Sequence, residues 1–157
     1  MARLDISGMD KVISDMQRLG ENSGPVAEAM VDAAAAVTRD AWKETAEEYR
    51  LHDSGDMINS INFTMRGVGS GLGVLTREIY PQGTDSKGVR NAEKAYLLHY
   101  GTSRIKAKYW VDDAEERADQ RVVPVMEQIW GEYLETGNVP AAAPGVASGS
   151  GISTRKT

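Results

Sequence analysis

The residues able to carry acid–base, nucleophilic or ligand chemistry are few. The chain has two histidines and no cysteine. His52, Asp53 and Ser54 supply the residue types of a nucleophilic triad, but neighbours in sequence do not converge on one reacting atom, so this run reads as a solvated turn. His99 stands among Leu97, Leu98 and Tyr100 and reads as a packed or interface histidine. The pairs Asp112-Asp113 and Glu115-Glu116 open a helical pattern, where carboxylates meet the positive end of the helix dipole; that accounts for them without a metal. Gly67, Gly69, Gly71 and Gly73 recur at spacing two. A phosphate loop would need a following Lys-Ser/Thr pair and a helix, and neither follows, so they read as a hairpin connection. There is no HExxH, no Walker sequence and no paired metal-ligand spacing. Without cysteine there are no disulfides, thiolate metal sites or cysteine nucleophiles.

These residues need elements to position them, and the apolar pattern supplies several. Met9, Val12, Ile13, Met16 and Leu19 predict a short helix over 8–20, stopped by Gly20. A turn at 22–25 leads into the clearest helix, 26–50, opened near Pro25 and rich in alanine. Met30, Ala34, Val37 and Ala41 form its stripe, widened by Val31, Ala35, Trp42, Ala46 and Tyr49. Small residues along such a stripe let another backbone come close, as in a core helix on a sheet. Residues 60–66 alternate apolar and polar and predict a strand, with a second over 74–80. Residues 81–93 read as a mobile polar loop. Residues 94–100 allow a strand or a short helix with Asn91 as N-cap and Gly101 as stop; a strand or mixed segment is preferred. A last helix is expected over 111–135, kinked or split near Val123 by Pro124.

The 157 residues suit one domain with tails. The fold class expected is α+β: two N-terminal helices, a small antiparallel β-sheet, a C-terminal helix and a flexible C-terminal tail. The domain would span 1–136. Residues 137–157, rich in Gly, Ala, Ser and Pro, form an extension with too little apolar surface to fold alone. No apolar run is long enough to cross a membrane and no signal peptide is visible, which suggests a soluble intracellular protein. The net charge of −5 argues against a general nucleic-acid binder. Charge is uneven, however. Residues 84–110 hold six cations and two acids, and residues 111–136 hold two cations and eight acids.

Two motifs carry a resemblance. The segment from Tyr100 to Trp110 has an aromatic-Gly-Thr-Ser start (Gly101, Thr102, Ser103), a short basic loop (Arg104, Lys106, Lys108) and an aromatic pair (Tyr109, Trp110) leading into the last helix. Upstream, Ser54-Gly55-Asp56-Met57-Ile58-Asn59-Ser60-Ile61 looks like a Thr/Ser-Gly-x-Leu-x-x-Ser-Ile pattern between a long helix and the first strand. In this order the motifs resemble the head–tail joining and tail-completion family of long-tailed bacteriophages, also labelled neck protein or minor tail protein Z, over about residues 5–136. The chain departs from that pattern at His99, where the family often has an acid, at Lys108, and at Tyr109-Trp110 in place of Pro-Phe.

The resemblance implies a structural virion protein at the head–tail junction, present in the host cytoplasm during assembly. Its partners would be copies of itself in a ring and other phage neck or tail proteins. DNA would pass through without specific binding, and no membrane, catalytic residue, metal or cofactor is implied. Ser54, Gly55, Ser60, Ile61, Gly101, Thr102 and Ser103 would be turn and fold positions, with Tyr109 and Trp110 as core anchors. Arg104, Lys106, Lys108, Asp112, Asp113 and Glu116 are interface candidates, since the basic segment and the acidic helix could meet across subunits. The main rival is a nucleic-acid-binding module using the basic segment 104–108; a small hydrolase using His52 or His99 is a weaker one.

Overall fold

In the computed structural model the described residues are 9–52, 55–64 and 77–140. They form α1 (Met9–Glu21), α2 (Ser23–Glu48), α3 (Asp56–Asn59), β1 (Ile61–Phe63), β2 (Ile79–Pro81), α4 (Asn91–Tyr100) and α5 (Trp110–Thr136). The fold is α+β, with long helices beside a two-stranded antiparallel sheet. Ser54, the glycine series 67–73 and residues 141–157 lie outside the described residues, as do the ends of both expected strands.

α1 and α2 are separated by Asn22 alone. Ser23 Oγ donates to the Gly20 carbonyl, and Pro25 sits in the first turn of α2, where a missing N–H leaves no helical bond unmade. The buried side of α2 is small: Ala33, Ala35, Ala36, Ala41 and Ala46, with Thr45 returning its hydroxyl to the Ala41 carbonyl. Met30, Ala34 and Val37, expected on the central stripe, are half-buried, because the seam is rotated toward Ala33 and Ala36. α5 runs antiparallel to α2 and presents the small residues Ala114 and Ala118, which are buried. Cross-links fix the register. Tyr49 donates its hydroxyl to Asp113, Arg117 forks onto both carboxylate oxygens of Glu48 at 2.9 and 2.7 Å, and Arg121 meets Glu44 at 2.9 Å. Donation to Asp113 holds the Tyr49 hydroxyl above its ordinary range, and Arg117 holds Glu48 below its own.

α5 does not split at Pro124; it is helical from Trp110 to Thr136. The ion pairs to α2 hold the part before the proline. The buried Tyr133 holds the part after it, donating to the Leu19 carbonyl at 2.9 Å. Tertiary contacts on both sides thus outweigh the local loss. Gly137 closes the helix in the left-handed region, is buried, and donates its N–H to the Tyr133 carbonyl, so the folded body extends one residue past 136.

β1 and β2 pair Ile61 with Pro81 and Phe63 with Ile79. Ile61 and Phe63 point inward and Asn62 outward. Arg77, its side chain 1 % exposed, joins this edge to α2 through Asp32 at 2.6 Å and Glu28 at 3.3 Å.

The loop expected to be mobile is built around a carboxylate. Asp85 Oδ1 accepts the N–H groups of Lys87 and Val89, and Oδ2 meets Lys94 Nζ at 2.5 Å. The Lys94 contact, reinforced by the Val89 N–H, lowers the Asp85 pKa from its ordinary 3.8. A carboxylate with a depressed folded pKa adds stability above its unfolded value and loses it as pH falls through the folded one. Asp85→Asn should therefore flatten the acid limb of the stability curve. Urea unfolding at about pH 6 and about pH 3 should show a smaller drop for the variant than for the parent; equal drops would contradict the role given to Asp85.

Residues 91–100 form a helix, not the strand or mixed segment expected. Arg90, in the β region, is the N-cap. Asn91 is instead the first helical residue, buried, and its side-chain amide donates to the Gln82 carbonyl at 2.9 Å. Ala95 and His99 are buried four apart while Tyr96, Leu97 and Tyr100 face out. With large apolar residues on the exposed side, the helical period was hidden.

Candidate assembly interface

The two motif segments meet in one core. Met57, Ile58 and Ile61 pack in the same cluster as Ala46, Leu51, Ala95 and Trp110. Gly55 opens α3 at φ 80°, and Ser60 Oγ donates to the Met57 carbonyl at 2.8 Å. Gly101 ends α4 at φ 78°. Thr102 Oγ1 then accepts the N–H groups of Arg104 and Ile105 at 3.2 and 3.0 Å, closing a tight turn. The loop folds back on α4: the N–H groups of Lys108 and Tyr109 donate to the carbonyls of Leu98 and His99.

The expected aromatic anchor is one residue, not two. Trp110 is fully buried and meets Trp42 edge to face at 5.5 Å. Tyr109 is 54 % exposed and sits at φ 50° as the N-cap of α5, where the chain reverses and aims its ring outward. Lys108 is also drawn inward, donating from Nζ to the Tyr49 carbonyl at 3.2 Å, which removes it from the outer surface charge. Asp113 is engaged with Tyr49. Ser103, Arg104, Lys106, Asp112 and Glu116 are exposed.

Beside this loop lies a cleft of about 380 Å³ between β2, α4 and the start of α5. Tyr80, Tyr96, Tyr100 and Trp42 give it aromatic walls, with Asp112 and Glu115 on the α5 side. Tyr96 and Tyr100, four apart on α4, have ring centroids 4.7 Å apart. His99 forms part of the lining. Its Nδ1 accepts the Val111 N–H at 3.3 Å, which leaves the proton of the neutral ring on Nε2, 3.7 Å from Asp112 Oδ1. Tyr100 and Tyr109 meet the imidazole edge to face at 4.5 and 5.5 Å. The aromatic cleft was missed in the sequence, although Tyr96 and Tyr100 carry the i, i+4 spacing of a helix face. His52 is exposed and lies apart from the cleft lining.

Among the described residues no group of three or more His, Asp or Glu is placed to hold a metal ion, and no helix is long and apolar enough to cross a membrane. Set against protein-family models, curated proteins and solved structures, the chain has no match.

Proposed function

We propose that this chain is a structural protein of a phage head–tail junction, joining head and tail as a ring of identical copies around the DNA passage. The family part of the reading rests on the motifs at 54–61 and 101–110. The observation that carries the assembly part is the surface around the cleft. Tyr80, Tyr96, Tyr100 and Tyr109 are exposed, and the loop that follows α4 carries Arg104 and Lys106, both exposed and with no ion pair among the described residues. Clustered aromatics rimmed by charge mark a protein interface rather than an ordinary solvated face. The net charge of −5 suits a conduit wall, since like charge keeps phosphates from sticking.

Withholding the chain during particle assembly should leave finished heads and tails unjoined, and adding it back should restore joining. Normal particles without it would overturn the reading. Exposed Arg104 and Lys106 in the same short loop as exposed Tyr109 also favour a second reading, a nucleic-acid-binding module. That reading requires DNA binding that weakens steeply with salt and is lost in Arg104→Ala/Lys106→Ala; the ring reading expects no such binding.

A further inference from the structure

α5 turns a second apolar surface outward. Val123, Trp130 and Leu134 are exposed, and spacings of seven and four place them on one helix face. The charge around them has one sign. Both arginines of α5 face α2, Arg117 on Glu48 and Arg121 on Glu44. On the stripe face itself, Asp119 and Glu127, four residues either side of Val123, are exposed with no ion pair among the described residues. The neighbourhood of the cleft holds cations, although the Asp, Glu, Lys and Arg residues of its own lining are only the acids Asp112 and Glu115. Arg104 and Lys106 project from the loop beyond the end of α4, and Arg90 lines the groove that continues past Tyr80 and Ala92. Asp112 and Glu115 stand only on the α5 wall.

We infer that these two faces are the halves of one contact: the Trp130 stripe of one copy seats in the aromatic cleft of the next, with the carboxylates of Asp119 and Glu127 toward Arg104 and Lys106. The inference rests on the ring reading and names the surfaces that would build it. The occupant is a second copy because the chain itself carries both complementary charges. Stripe against stripe would bring carboxylates together, so self-pairing of that face is disfavoured. The cleft lies at the small end of the roughly 300–1,000 Å³ range of ligand cavities, a size for one aromatic side chain. Paired in succession from copy to copy, two unlike faces make a head-to-tail contact whose repetition closes a ring when the rotation divides a full turn, whereas reciprocal pairing of the same two faces would stop at a dimer.

The test uses one blocked face at a time. Tyr100→Glu charges the cleft and Leu134→Glu charges the stripe; both positions are more than half exposed, so folding should survive, as far-ultraviolet circular dichroism would check. Each variant alone should lose assembly in sedimentation. Mixed, they should form a 1:1 dimer through the two unblocked faces and nothing larger. Assembly of either variant like the parent, or two monomers that fail to pair when mixed, would overturn the inference. Because the chain has no cysteine, Tyr100→Cys and Leu134→Cys give a second reading. Under oxidation the double variant should form a ladder of covalent multimers and the single variants none, whereas a dimer from Tyr100→Cys alone would mean cleft against cleft and overturn it. A parent chain that assembles while these results fail contradicts only this contact. A parent chain monomeric at every concentration and inside particles contradicts the ring reading itself.

Discussion

Trp110→Ala should lower the stability of the folded chain by about 3–5 kcal/mol, the usual cost of removing a large core aromatic. Trp110 is fully buried where α5 starts, in one cluster with Met57, Ile58 and Ile61 of the upstream motif, Ala46 of α2 and Ala95 of α4. Truncation would open a cavity bordered by Trp42, Ala46, Ile58 and Ala95, on elements that cannot all move inward together. Its Nε1 has no hydrogen-bond partner among the described residues, so Trp110→Phe removes volume but no bond and should cost clearly less. Urea unfolding decides the matter: a change below about 1 kcal/mol for Trp110→Ala would mean that the aromatic does not hold the core.

Gly101→Ala should be nearly as damaging, at about 2–5 kcal/mol from left-handed backbone plus overlap. Gly101 sits at φ 78°, and a Cβ there would fall 2.6 Å from the Ala107 nitrogen and 2.7 Å from the Ile105 oxygen. Both are backbone atoms of the loop that folds back on α4, so relief requires moving that loop and, with it, Arg104 and Lys106. Gly83→Ala is the control. Its φ is 68° but the space is open, so it should lose only about 1–2 kcal/mol. Equal melting points for the two variants would contradict the close approach at Gly101.

The long helices were legible because α2 and α5 keep small or apolar residues at helical spacing over many turns. Gly55 and Gly101 were legible as sharp turns, since such turns call for positive φ. α4 was not. Its exposed side carries Tyr96, Leu97 and Tyr100, so burial and hydrophobicity disagree there, and the disagreement is itself the mark of the candidate interface. The pair Tyr109-Trp110 shows the same limit at single-residue scale. Composition gives both residues equal weight, but the reversal of the chain into α5 sends one ring into the core and the other out. The order of 82–91 depends on Asp85 reaching two N–H groups of its own loop and a lysine on α4, a closure that polarity alone does not announce.

Native mass spectrometry of the puried chain across a concentration series, and of the chain released intact from particles, tests the central claim most directly. The account predicts assemblies at integer multiples of the chain mass, with one closed multiple dominating and Arg104→Glu/Lys106→Glu shifting the population to monomer. A chain that is monomeric both in solution and in particles would contradict it.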